Sequence, residues 1–451
     1  MGFSTGTHSH GTVHRVSKTS HLCEFGKWVL LSGIMGVLIG SASALFLAAL
    51  DQVTNLRYEH PELLWLLPLA GFAIGWLSLR VGPAINSGNN LLIHEIKHPQ
   101  HGVPIRMAPF VFCGTLLTHL CGGSAGREGT AVQMGGSIAG GLARLIPGMS
   151  EREVRLLLMA GVAAGFGGVF GTPVAGMVFA LEVAVLGRIE IRAIHPCLVA
   201  AIISDRVCTA WGIEHTSYGV QSLISEGSML RLTPLSGRLI LSCMAGGVIF
   251  GLAARLFAGM THAVQGLCDR YLSPPLLRPV VGGCVVIALV SLVGNRDSLG
   301  LGVSSPDPAA ATIVNAFHVG GVHPWSWWWK LLFTAVTLGS GYKGGEATPL
   351  FFIGAALGHV LASWFGVPVD FLASMGFVAV FAGATHTPLA CTVMAAEFFG
   401  VESIFYFSLS CLIANQFSGL GVYTAQGAVN SAATEPYPLS VADSGLSNSS
   451  R

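Results

Sequence analysis

Two acidic residues stand inside glycine-rich breaks in otherwise apolar sequence, and their surroundings define a chemistry. Glu128 lies in Gly122-Gly123-Ser124-Ala125-Gly126-Arg127-Glu128-Gly129-Thr130, and Glu346 lies in Gly341-Tyr342-Lys343-Gly344-Gly345-Glu346-Ala347-Thr348-Pro349. Small residues let backbone N–H groups turn inward, and a helix start adds a partial positive end, so such a break holds an anion without a full positive charge. A lysine ammonium in the path would hold the ion too tightly to release it. A carboxylate in this nest takes the anion's place when ionised and leaves it when protonated, which links anion movement to protons. The amides of Asn89 and Asn90 and the Thr348 hydroxyl are further donors. The expectation is that Glu346 and Thr348 form a second station that receives the Glu128 side chain or its proton.

The elements that must position these groups are membrane helices. Of 451 residues, 52% are hydrophobic and only 10% charged, against about 25% charged in a soluble domain. Lipid solvates the outer face of such a chain, and its 59 glycines let helices approach closely. Apolar segments run at 28–50, 63–79, 105–121, 155–186, 195–211, 238–260, 277–293, 325–338, 349–365, 371–397 and 403–422. Several are too short or too broken by Gly and Pro for the roughly 20 residues of a simple span. Broken backbone at membrane depth is tolerated where it is buried or lines a watery cavity, which is the pattern of a transporter.

The rest of the chain narrows the classes further. A net charge of +1 argues against nucleic acid. The cysteines, among them Cys113, Cys243, Cys284, Cys391 and Cys411, read as small apolar packing residues, and no Cys/His spacing suits a metal. His8, His10, His14 and His21 sit in a Ser/Thr/Gly-rich tail. No cofactor, metal or enzymatic activity is expected, because Glu128 and Glu346 have no nucleophile or metal ligands beside them. Residues 1–27 lack a signal-peptide pattern and are expected to be a disordered tail. Arg15, Lys18 and Lys27 before the first span place the N-terminus in the cytoplasm of a multi-pass cell-membrane protein. Trp325, Trp327, Trp328 and Trp329 read as an interfacial belt.

The chain also repeats itself. Thr172-Pro173 running to Glu182 matches Thr387-Pro388 running to Glu397, a spacing of 215 (397 − 182). Gly126-Arg127-Glu128-Gly129-Thr130 matches Gly344-Gly345-Glu346-Ala347-Thr348, a spacing of 218 (346 − 128). Repeats broken at matching positions put a substrate site at their interface near the midplane. Identity alone does not say whether the halves are inverted or parallel. The division is a repeat at 28–211, a connection at 212–237, a repeat at 238–426 and a polar tail at 427–451. Glu182 and Glu397 read as structural symmetry mates at helix ends. His119 and His386 read as packing or capping residues, and Lys343 either attracts anions, balances Glu346 or is a solvated loop lysine.

Gly126-Arg127-Glu128-Gly129-Thr130 resembles the GREGP signature of CLC anion channels and anion/proton antiporters. Asn86-Ser87-Gly88-Asn89-Asn90 stands in the place of their GSGIP, Gly345 to Pro349 in that of GxFxP, and Tyr423 in that of the pore tyrosine. The resemblance spans about Trp28 to Gln426. It implies an all-α integral membrane fold of two inverted-topology repeats with broken and re-entrant helices, and a homodimer in the bilayer. It implies Glu128 as the gate and Ser87 with Tyr423 as an inner constriction. Gly126, Arg127, Gly129 and the backbone near Glu346 and Ala347 then help to cradle the anion. Asn89-Asn90, Thr130, Glu346 and Thr348 depart from the chloride members, and the run from Gly341 to Pro349 is similar to that of the fluoride/proton antiporters. Val183 stands where chloride/proton exchangers carry an internal glutamate, as the fluoride branch does. Ser87 keeps the chloride-type serine. The resemblance therefore implies fluoride export in exchange for protons, with a chloride or nitrate transporter or a passive channel of the same fold as the alternative.

Overall fold

The computed structural model describes residues 18–100, 102–184, 190–216, 218, 220 and 237–427. Most of the two tails and most of the expected inter-repeat connection lie outside these residues. The first half comprises α1 (Lys18–Glu59), α2 (Leu67–Val81), α3 (Asn89–Lys97), α4 (Met107–Leu120), α5 (Glu128–Leu145), α6 (Glu151–Phe170), α7 (Pro173–Ala184) and α8 (Ile194–Ala210). The second comprises α9 (Gly237–Tyr271), α10 (Leu277–Val293), α11 (Ser326–Gly339), α12 (Ala347–Phe365), α13 (Val369–Thr385), α14 (Pro388–Phe399) and α15 (Ile404–Phe417). The first helix thus begins at Lys18, ahead of the apolar run expected from Trp28.

Among the described residues, six helical stretches are long and apolar enough to cross a membrane. Their outward faces carry large apolar side chains such as Leu30, Leu69, Leu241 and Trp364, as a surface solvated by lipid requires. Cys113 and Cys284 lie on this exposed surface rather than in the core, whereas Cys243, Cys391 and Cys411 are buried. The centre is formed by helices apolar all round: every residue of α13 from Phe371 to Thr385 is buried.

Two of the apolar runs are each cut into two helices. The 155–186 run breaks after α6 at Gly171, which is left-handed (φ 72°), and Pro173 opens α7. The 371–397 run breaks after α13 at His386 (φ 54°), and Pro388 opens α14. Proline tolerates the first helical turn because its missing N–H has no partner there, so Thr-Pro marks a restart in both halves. The breaks are then clamped reciprocally. Glu182 at the end of α7 accepts from the N–H groups of Leu389 (3.0 Å) and Ala390 (2.8 Å) at the start of α14. Glu397 at the end of α14 accepts from Val174 (3.0 Å) and Ala175 (2.8 Å) at the start of α7.

These carboxylates supply what a capping side chain supplies, with the macrodipole in their favour. Glu182→Ala and Glu397→Ala should each cost about 1–2 kcal/mol. Because the clamps sit at opposite ends of the α7–α14 pair, the double variant should lose the sum to within about 0.5 kcal/mol. Thermal unfolding in detergent checks this, and unchanged melting of either variant refutes the clamp.

Candidate functional site

The two glycine-rich breaks meet face to face. Gly126 and Gly345 exchange backbone hydrogen bonds in an antiparallel bridge, at 2.5 and 2.8 Å. Each break is entered the same way: the Gly123 N–H bonds the Thr118 carbonyl, and the Tyr342 N–H bonds the Thr337 carbonyl. Helices α5 and α12 then start at Glu128 and Ala347. The structural spacing is therefore 219 (345 − 126) and not the 218 read from matching identities. Glu128 and Ala347 are the mates, and Glu346 is the mate of Arg127. The shared Gly-x-Glu pattern drew the alignment one residue off, whereas backbone pairing fixes it.

Glu128 is 2% exposed. Its carboxylate accepts from the Thr348 N–H (3.1 Å), the Thr348 hydroxyl (2.5 Å) and the Arg127 N–H (3.1 Å). The Arg127 guanidinium stands alongside, with Nε 3.5 Å from the carboxylate. Thr348 is in the first turn of α12, so Glu128 occupies the N-terminal end of the helix opposite its own. That is where orphan N–H groups and the helix dipole favour an anion.

Glu346 faces another way. It accepts hydrogen bonds from the Tyr423 hydroxyl and from Asn89 Nδ2, the latter at 3.2 Å, and Asn89 Nδ2 also lies 3.4 Å from the Tyr423 oxygen. Glu346 and Thr348 do not make one station, because Glu346 is the N-cap residue of α12 and Thr348, two residues on in its first turn, points to a different side. Thr348 holds Glu128, while Glu346 lies with Asn89 and Tyr423. Gly129 makes room for this arrangement. A Cβ there would lie 2.9 Å from Gly345 Cα and 3.4 Å from the Glu346 carboxylate.

Two cavities lie about these carboxylates. One of about 300 Å³ is lined by Ser87, Asn89, Asn90, Lys343, Glu346 and Tyr423, among others. A second of about 10 Å³ is lined by Arg127, Glu128 and Thr348 together with His215 and Tyr218. The large cavity lies toward α3, whose end carbonyl at Lys97 is bonded by Arg155, close to the Lys27–Glu153 ion pair where α1 begins. The small one lies toward the end of α1, where Tyr58 bonds the Ser304 carbonyl next to cavity-lining Val303.

Asn89 and Asn90 open α3 after Gly88, which is left-handed (φ 53°). Their side chains do different work. Asn89 reaches Glu346, whereas Asn90 Oδ1 accepts from the Ala425 N–H at 3.0 Å and so holds the segment that carries Tyr423. Two residues not singled out by sequence hold the same segment. Lys97 Nζ donates to the carbonyls of Ala425 (2.7 Å) and Gln426 (2.5 Å), and Gln426 Nε2 donates to Thr385 (2.7 Å) and Val183 (3.3 Å). Lys343 lines the large cavity, with Nζ 3.3 Å from Asn86 Oδ1 and 5.4 Å from the Phe110 ring. Ala347 is buried at the first helical position of α12. His119 packs beneath the first break, with Nε2 3.5 Å from the Gly126 carbonyl, and His386 pairs with Asn415 at 2.8 Å.

Broken helices that meet at their starts, with a buried carboxylate at a helix N-terminus, define an ion-transport protein of the membrane. The chain belongs to the CLC family: the model described as "Voltage gated chloride channel" matches residues 70–419. It is 43% identical to a "Chloride/fluoride channel protein" of Pseudomonas syringae pv. tomato, over 91% of this chain and 89% of that protein. It is 33% identical to a "Putative chloride channel protein ClcB-like" of Ralstonia nicotianae, over 61% of this chain and 63% of that one. Among solved structures, a CLC-type fluoride/proton antiporter superposes with a TM-score of 0.83 at 33% identity, covering 91% of this chain and 100% of that one. A slow cyanobacterial Cl⁻/H⁺ antiporter shares the fold, with a TM-score of 0.72 at 19% identity, over 88% of this chain and 96% of the other.

Proposed function

We propose that this protein is a fluoride/proton antiporter in which Glu128 is the protonatable gate. The observation that carries the reading is the seat of Glu128: a carboxylate held by the first turn of α12 stands where a small anion would be held. Protonation removes the charge that this seat favours. The side chain is then released, and the anion takes the N–H and hydroxyl donors in its place. Glu346, with Asn89 and Tyr423 beside the larger cavity, is the second carboxylate on the path. It provides a proton station on the face where α1 begins, in a chain with Val183 in place of an internal acid.

Fluoride is favoured over chloride by the donors and by kinship. A small, strongly hydrated anion needs short, strong hydrogen bonds to replace its water, and the Thr348 hydroxyl and Asn89 amide supply them. The structural neighbour at 33% identity, a fluoride/proton antiporter, supports the same choice, and the 43% relative is named for both ions. The reading includes a homodimer with one pathway per subunit, the N-terminus in the cytoplasm, and Ser87 and Tyr423 at the inner end of the path. Ser87, which lines the larger cavity, favours the second reading, a chloride transporter or channel.

Purified protein in vesicles separates these readings. Fluoride release should take up protons stoichiometrically, with chloride flux at least about tenfold slower. Comparable chloride flux overturns the selectivity, and fluoride flux without protons makes the protein a channel.

A further inference from the structure

Glu128 is buried, and the space next to it on the face where α1 ends is the cavity of about 10 Å³. A space of that size takes about one water molecule. Its polar lining is Arg127, Glu128, His215, Thr216, Tyr218 and Thr348, closed by apolar rings. His215, Thr216 and Tyr218 come from the described part of the connection between the repeats, so that connection covers the gate. A proton arriving at Glu128 from this side must cross this lining. Arginine keeps its protons at any working pH, tyrosine releases its own only near pH ~10, and threonine does not titrate. Imidazole is the lining group that exchanges protons near neutral pH.

The position of His215 suits that task. Its side chain is 20% exposed, against 2% for Glu128, while its Nε2 is buried, so the residue meets both solvent and the cavity that it lines. Nε2 lies 3.5 Å from Asp205 Oδ1 on α8, and it makes no hydrogen bond among the described residues. The ring is seated against backbone, since a Cβ on Gly171 would lie 2.6 Å from it. The charged groups around it are Asp205 from α8, Arg127 and Glu128 from the start of α5, and the exposed Glu214 next in the chain. Glu397 of α14 lies within electrostatic reach of Asp205.

We propose that His215, oriented by Asp205, relays protons between solution and Glu128 across a single water. In the inward step, a ring N–H of the imidazolium gives its proton to that water. The water gives one of its own protons to a Glu128 oxygen, and the neutral ring is reprotonated from solution at its exposed edge. One N–H bond breaks and one O–H bond forms, so the His⁺–Glu⁻ pair becomes a neutral pair and no other reactant is needed. Asp205 stands 3.5 Å from the ring, and Arg127 stands beside the Glu128 carboxylate that receives the proton.

This relay rests on the proton-coupled reading above, and the experiment separates the two. Wild type, His215→Ala and Asp205→Asn are compared in vesicles, with proton uptake recorded against pH. His215→Ala should slow coupled transport about tenfold, and imidazole added to the solution should restore most of the rate by filling the vacated place. Asp205→Asn should slow coupled transport and change its pH profile, because the ring loses the carboxylate 3.5 Å from Nε2. His215→Ala working at the wild-type rate, or slowed without any response to imidazole, overturns the relay while wild-type coupling stands. An Asp205→Asn profile identical to wild type overturns the pairing. Wild-type vesicles that release anion without taking up protons overturn the coupled reading itself.

Discussion

Replacing Glu128 by Gln should reduce proton uptake to the background of empty vesicles, at least about a hundredfold below wild type, while anion release continues. The two side chains have nearly the same shape, and the Thr348 hydroxyl can rotate to accept from the new amide, so the fold survives. What is lost is the titratable oxygen. The amide oxygen can take the place of the one carboxylate oxygen that accepts all three hydrogen bonds, but the NH₂ then stands where the other oxygen faced the Arg127 guanidinium, donor against donor. A donor set facing a donor costs about 1–3 kcal/mol, so the Gln side chain leaves the seat more readily and the anion enters without waiting for a proton. Glu128→Ala takes this further by removing the side chain that lines the smaller cavity, and it should pass anions faster than the Gln variant. A fluoride electrode read alongside a pH indicator separates the two fluxes. Proton uptake by Glu128→Gln at the wild-type ratio would remove Glu128 from the gate.

Glu128 was legible from sequence because its signal is one of contrast. An acid flanked by glycines inside apolar sequence has no cheap structural explanation, and neighbouring residues supply most of its surroundings. The matched Thr-Pro steps and their glutamates were legible as a repeat, and the helix restart that each marks came from the structure. The partner of Thr348 was not legible. Thr348 lies 220 residues from Glu128 in the chain, and the sequence placed it with its neighbour Glu346. Helical geometry sends those two side chains in different directions, and only the bridge between Gly126 and Gly345 shows which one meets the first repeat.

The same limit hid the residues that act at long range. Lys97, which the sequence reading did not single out, ends α3 and fixes the loop that presents Tyr423. Lys330 sits behind the Trp325–Trp329 run and reads as part of a membrane-interface belt. In the fold it is wholly buried, donating to the carbonyls of Ser298 (3.2 Å) and Gly300 (2.7 Å). His215 sits in a polar connection with no periodicity, where nothing local distinguishes it from the other histidines.

Gly345→Ala should abolish transport of both ions, and the reason is geometric. A Cβ at this position would lie 2.6 Å from the Gly129 nitrogen, 3.2 Å from the Gly129 Cα and 3.3 Å from the Glu128 nitrogen. All three are backbone atoms of the first turn of α5, so no rotamer change relieves the contact. The breaks must move apart, which strains the Gly126–Gly345 bridge and draws Thr348 away from Glu128. Overpacking of this kind costs about 1–3 kcal/mol, a loss that a large membrane domain can survive. Function is more sensitive: a shift of about 1 Å between positioned groups costs about a hundredfold in rate, because hydrogen bonds weaken steeply with distance and angle. Gly266→Ala is the matched control. That glycine lies in α9 with nothing within 4 Å of its added Cβ, and alanine there should favour the helix by about 1 kcal/mol. Both variants are compared in vesicles after size-exclusion chromatography has verified equal amounts of folded protein. Gly266→Ala should transport at the wild-type rate and Gly345→Ala at least about a hundredfold more slowly. Coupled transport by Gly345→Ala at the wild-type rate would mean that the close meeting of the two breaks is not what builds the anion seat.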